Sequence, residues 1–477
     1  MRKALLIFPT VLLLAPTFAA RAQEPSPSPA TGYTRPRVVN QTAREEQQAQ
    51  AQTKPTTGDA QKAPAAVPAA TRPQQPPATA PTAQPSPAQT PTATAPASTT
   101  PTMTPTTAPT SGPAIQPAVP YVPLQPARPL ASNKARTKIN EAQRLLRSRL
   151  TLTAATSPSL EFVTVAALDQ DDNEIHLVTL PKQTFLTRGT DVSLSTSKGM
   201  PVRLQVVRSN YVNTAVVVSD AKGRQLTPLV VEYPIEKFGR FREMAYYTSA
   251  HPALVSPEVS RRGREYVRNM LDLAAKRLKE KGKTIAPEIV DIAERLSIVE
   301  HVDHDRFRRE DRAAIYNEVY ALFALNELDT YRYSVSSAGA GGMVQMIPST
   351  YAMVRRMHPG VGLNPDFVAG MRNHGNALEA MLLYMQDTWN GLALNQEVLD
   401  AMRNNYATQP ELASAGYNSN PARLPLYLRR GGAAWRTLIP RETQMYLQIY
   451  KSFESLIPLK TRGDDDDAQK TATGGTQ

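Results

Sequence analysis

The chain has no cysteine. That excludes disulfides, thiolate catalysis and a lipid-modified N-terminal cysteine, and it leaves core packing alone to stabilise the fold. Aromatic residues are missing from one long stretch: none occurs between Tyr33 and Tyr121. Over nearly the same stretch, from Pro25 to Pro129, fall 24 of the 42 prolines, set among Ala, Thr and Gln. Such a tract buries too little apolar surface to offset the entropy of ordering it, so residues 23–130 read as a disordered Pro/Ala/Thr-rich linker. Stretched into polyproline II it would reach roughly 300 Å.

Long apolar runs are scarce too. The one at the N-terminus, "ALLIFPTVLLLAPTFA", follows Arg2 and Lys3 and precedes Ala20-Arg21-Ala22. Basic start, apolar core and small-residue cleavage site together read as a signal peptide over residues 1–22. Pro9 and Pro16 interrupt the run, which makes it a poor membrane span, and no integral membrane segment is expected elsewhere. The expected location is the periplasm, the cell envelope or the outside of the cell.

Acidic residues fall short of basic ones, and the formal net charge is +12. Residues 131–463 alone hold 43 Lys and Arg against 34 Asp and Glu. A basic exported chain favours an anionic partner such as a cell-wall polymer or lipid headgroups. Export argues against nucleic acid.

Between residues 160 and 233 the sequence alternates with period two and is rich in β-branched residues, as in "LEFVTVA", "VRLQVV" and "PLVVEY". This predicts a small antiparallel β module within 131–250, with no site motif of its own. From Pro257 the period becomes helical, and residues 251–460 read as a helical domain. Its first helix, "EVSRRGREYVRNMLDLAAKRLKEK", carries a basic face that reads as solvated. Residues 461–477, with "DDDD", read as a disordered acidic tail. The fold class expected is α+β and multidomain. His301, Asp303, His304 and Asp305 raise the question of a metal site, but four such side chains within five positions of one helix do not converge on one ion. They read as a polar helix end, and no metal or other cofactor is expected.

Chemistry enters at "RAAIYNEVYALFALNE", residues 312–327. Ile315, Val319 and Phe323 recur every four residues and mark a core-facing stripe; Glu327 is its next position. The stripe predicts a buried carboxylic acid, the setting of a general acid, against the plainer alternative of a helix-end glutamate paired to an arginine. Nine residues on begins "SSAGAGGMVQMIP", which spells S-x-x-G-A-x-G-x-x-Q from Ser336 to Gln345. Further blocks follow in "LASAGYNSNPARL" (412–424) and "IPRETQMYL" (439–447).

These blocks, in this order, resemble the soluble-lytic-transglycosylase-like family, enzymes with a lysozyme-like helical fold that cleave the glycan strands of peptidoglycan. Glu327, Ser336, Gly339, Ala340, Gly342, Met343, Val344, Gln345 and Pro348 fall on the first pattern, Tyr417, Asn418, Pro421 and Arg423 on the second, and Pro440, Glu442, Thr443 and Tyr446 on the third. The resemblance covers residues 312–455. It implies an all-α lysozyme-like C-terminal domain in which Glu327 is acid and then base. Ser336 and Gln345 would bind sugar groups, Met343 would line the floor of the groove, and Tyr417 would orient the acid with Asn418 and Glu442 behind it. The implied reaction is non-hydrolytic cleavage between N-acetylmuramic acid and N-acetylglucosamine, leaving 1,6-anhydro ends. Peptidoglycan strands are the implied partner, with cell-wall assembly or divisome proteins as further partners through the linker or the β module. Leu328 stands where the family has Ser, and Asn420 where it has Gly. Those departures keep two alternatives open, a lysozyme-type hydrolase and a cell-wall-binding or assembly protein without turnover. Trp435 reads as core rather than as a sugar platform.

Overall fold

The computed structural model describes residues 122–152 and 159–462. The expected signal peptide, most of the linker and nearly all of the acidic tail lie outside the described residues. What is described is an α+β arrangement, a curled antiparallel sheet followed by a helical region. Helices of ten residues or more are numbered α1 to α8 below.

Seven strands make the sheet: β1 (Phe162–Asp169), β2 (Glu174–Pro181), β3 (Asp191–Ser195), β4 (Pro201–Arg208), β5 (Ala215–Asp220), β6 (Gln225–Lys237) and β7 (Arg240–Tyr247). Their order is β2-β1-β6-β5-β4-β3, with β7 added on β6. The long β6 bonds to β5 through Gln225 and Leu226, to β1 through 227–232, and to β7 through 231–237. Its length lets one strand tie both halves of the sheet.

Alternation fails in β1, which is buried along its whole length after Phe162, because both faces of that strand are covered. Val163, Val165 and Ala167 point into the curl, in one cluster with Leu204, Val218 and Tyr247. Ala166 and Leu168 point outward and are covered by α1 (Ser132–Leu152) through Ala135, Ile139, Ala142 and Leu146. The expected β module of 131–250 thus begins with a helix. The linker also ends earlier than expected: residues 122–130 lie along the module, with Gln125 N–H on Gly223 O at 2.9 Å and Leu130 N–H on Ala253 O at 2.8 Å. Apolar Leu130, buried in the α1 contact, fixes that end.

The helical region is built round α4 (Arg312–Asn326), started by Asp311, whose side chain accepts from Ala314 N–H. Against it packs α2 (Pro257–Glu280), capped by Ser256. The crossing is close at Gly263, where a Cβ would lie 1.8 Å from Tyr320 O. The core is completed by α3 (Pro287–Val299), α5 (Pro348–Met357), α6 (His374–Leu392), α7 (Gln409–Asn418) and α8 (Arg441–Leu456). Part of the basic face of α2 is paired: Arg261 to Glu265, Arg268 to Glu294, and Arg277, with Lys281 just past the helix end, to Glu379. Trp435 is fully buried in a second helical cluster, its Nε1 donating to Tyr406 O at 3.0 Å. Among the described residues no helix is long and apolar enough to cross a membrane.

Sheet and helices meet at α4. Leu322 inserts among the apolar residues inside the curled sheet, and Arg208 of β4 pairs with Glu318 at 2.9 Å. The Asn326 side chain donates to Thr248 O and accepts from Thr248 N–H, each at 2.8 Å. The end of the helix that carries Glu327 is therefore fixed by the end of the sheet.

Candidate functional site

Ile315, Val319 and Phe323 form the buried stripe as the spacing predicts. Glu327 does not continue it. The helix ends at Asn326, and Glu327 takes φ +50, a left-handed conformation uncommon for a residue with a side chain. That reversal turns the side chain out of the core, where it is 56% exposed and paired to Arg136 of α1, Nη2 to Oε1, at 3.0 Å. The expectation of a buried acid is corrected here: the geometry is that of a helix-end glutamate paired to an arginine. Near this carboxylate lie Asp329 and the hydroxyl of Tyr266, whose ionisation burial and these two acids oppose. Leu328 is 61% exposed beside it.

The loop after Glu327 is a folded unit, not a slack turn. Two bridges join Val335 to Gly341 and Gly341 to Met346. Inside the loop, Ser336 N–H bonds Ala340 O at 2.8 Å, and Ser336 Oγ accepts from Ala340 N–H at 3.0 Å. Gly342 has φ +68 and no room for a Cβ, which would stand 2.2 Å from Met371 O. So the small residues answer to close packing within the chain.

Residues 340–346 are buried, which corrects the expectation of an open groove floor under Met343. Gln345 is 5% exposed, its Nε2 donating to Gly342 O at 2.7 Å and to Ser334 Oγ at 3.2 Å. Its Oε1 is buried without a partner among the described residues. Ser336 Oγ and Gln345 Nε2 are thus engaged within the loop itself, while Gln345 Oε1 is not.

Two side chains hold the loop from behind. Tyr417 donates to Val344 O at 2.6 Å. His301 lies 2.8 Å from Met343 O through Nε2; since a carbonyl only accepts, this nitrogen carries the proton. The His301 ring stacks on Tyr331 with centroids 3.4 Å apart, and burial pushes His301 down to about 3. A second histidine, His374, bridges Thr330 O and the Tyr266 hydroxyl, at 2.8 Å each. Burial brings it down to about 4.

Behind Tyr417 lies an acid that the sequence did not single out. Glu300, 6% exposed at the end of α3, accepts from Tyr446 at 2.6 Å. Burial pushes its carboxyl up to about 8; the Tyr446 hydrogen bond opposes the rise and nearby Glu442 adds to it. Burial, with Glu300 adding to it, holds the Tyr417 hydroxyl well above its ordinary value. The structure therefore brings Tyr417, Glu442 and Tyr446 together around Glu300 rather than around Glu327. Asn418 closes α7, nearly buried, with Oδ1 unpartnered among the described residues. Glu300 had one signal in the sequence, a carboxylate directly after the apolar run "LSIV".

The segment weighed as a metal site does other work. Asp303 caps the short helix His304–Arg309, its side chain accepting from Asp305 and Arg306 N–H. Among the described residues no group of three or more His, Asp and Glu side chains is placed to hold a metal. Asn420 has φ −71, an unstrained backbone for any side chain, and its side chain accepts from Ala422 N–H. No family model matches the chain, and no curated protein or solved structure matches it either.

Proposed function

We propose that the chain is a peptidoglycan lytic transglycosylase in which the helical region is a lysozyme-like domain and Glu327 is the single acid and base. The observation that carries this reading is the placing of Glu327: an exposed carboxylate at the end of a buried helix, nine residues before a rigid loop in the order the family pattern requires. A polymer reaches such a carboxylate without the fold opening. The neighbouring segments are fixed through Asn326, His374 and His301, which suits the positioning that catalysis needs.

In the proposed reaction Glu327 gives its proton to the oxygen linking N-acetylmuramic acid to N-acetylglucosamine, and the C1–O bond breaks. The muramic C6 hydroxyl then bonds to C1 and returns its proton to the carboxylate. Both halves of the reaction use one carboxyl, because the nucleophile belongs to the sugar itself and needs no second base for water. Arg136 must leave the carboxylate before Glu327 donates a proton.

The buried state of Ser336, Met343 and Gln345, and the ion pair on Glu327, favour a second reading: a cell-wall-binding or assembly protein without turnover. Digestion of purified sacculi separates the readings. Anhydro ends support the transglycosylase, reducing ends one water heavier support a lysozyme-type hydrolase, and bound protein with no soluble fragment supports the binder.

A further inference from the structure

The candidate acid is met by a residue from outside the helical region. Arg136 is on α1, and α1 is held on the sheet by four buried apolar residues, so its backbone has a fixed place. The Arg136 side chain is not fixed in the same way, being 53% exposed. An ion pair this exposed contributes little, so another carboxylate at the same place displaces Glu327 at little cost. The other arginines near this corner are engaged differently. Arg372 lies on Glu243 of β7 at 2.6 Å, and Arg332 reaches the same carboxylate at 3.4 Å, with Tyr333 also on it. Those cations share one half-buried acid of the sheet, Arg332 also reaching Asp329 at 3.8 Å, whereas Arg136 covers the carboxylate the chemistry needs.

We propose that Arg136 selects for glycan that carries a carboxylate close to the bond to be cleaved. Such a substrate draws the guanidinium off Glu327 and so frees the acid only when an anionic strand is in place. The inference rests on the proposed role of Glu327. It makes α1 and the sheet part of the substrate site, and Arg136 a specificity-determining residue rather than a catalytic one.

The test uses the full chain and two forms of one polymer: native sacculi, and sacculi whose carboxylates have been converted to neutral amides with a carbodiimide. Binding is read by co-sedimentation and turnover by release of soluble fragments. The wild-type chain is expected to prefer native over amidated sacculi, and Arg136→Ala to lower that preference about fivefold, mainly in affinity or KM. Arg136→Lys should restore most of it. Arg403→Ala is the charge control, removing an exposed arginine that pairs with Asp400 beside a different core cluster; it should leave the preference unchanged. Equal preference in wild type and Arg136→Ala overturns the proposal, as does an equal loss in Arg403→Ala. Failure of the Glu327 reading shows separately, as release that is absent in wild type or persists in Glu327→Gln, while the binding comparison still decides whether Arg136 reads substrate charge.

Discussion

Glu300 and His301 are neighbours, both buried, and both held neutral against opposite pressures. Glu300 keeps its proton up to about pH 8 in the fold, whereas an unfolded carboxyl releases it near 4.5. Between those values the folded chain binds the extra proton, so stability falls as pH rises from about 4.5 to about 8. The histidines act the other way. His301, His374 and His251 are pushed by burial to about 3, 4 and 4 from 6.5, so the unfolded chain takes up protons first and stability falls as pH drops below 6.5. Thermal stability should therefore peak near pH 6.5. Glu300→Gln, which keeps an acceptor for Tyr446, should flatten the fall between pH 6.5 and 8.5 in a series of melting curves; an unchanged fall would remove Glu300 from the account. At Gly342 the expectation is steric. Alanine there meets Met371 O and a left-handed backbone at once, and denaturant unfolding should show a loss of about 2–4 kcal/mol.

The end of α4 is where the helical region is tied to the sheet. Asn326 bonds both peptide groups of Thr248, so Asn326→Ala leaves buried backbone groups unpaired and should cost about 1–3 kcal/mol in chemical denaturation. A loss much below that range would mean water replaces the side chain. The body of α4 was legible from Ile315, Val319 and Phe323, because a stripe of period four survives into the packed helix. Glu327 was misplaced by the same logic, since periodicity carries no sign of a residue that turns left-handed and ends the helix. The glycines of the loop suggest room for a ligand; their partner at Gly342 is Met371, 29 positions away, a contact no local pattern announces. Helix α1 did have a signal, with Ala135, Ile139, Ala142 and Leu146 at helical spacing, but its nearness to the proline-rich tract concealed it. Likewise Tyr417 and Glu442 stand in the motif blocks, while the acid they surround, Glu300, belongs to no motif and depends on three helices meeting.

Taken as one molecule, the chain joins a sheet and a helical region through apolar and polar contacts rather than through a tether. Leu322 lies in the sheet's core, and Tyr331 and Tyr333 pack against it. A chain of residues 122–477 is the reference for the part played by α1, since Gln125 and Leu130 anchor the segment before that helix. A chain beginning at residue 159 should melt lower, since it uncovers Ala166, Leu168, Leu177 and Leu229 and loses Arg136. Equal melting of the two shortened chains would show that α1 adds nothing to the fold. The proposal that Glu327 turns over peptidoglycan belongs to the whole molecule. Its most direct test is mass spectrometry of fragments released from purified sacculi by the wild-type chain and by Glu327→Gln, whose exposed side chain makes the substitution harmless to folding. Catalysis by Glu327 would give 1,6-anhydro ends from the wild type and at least about a hundredfold less release from a variant with the same melting temperature; equal release from both rules it out.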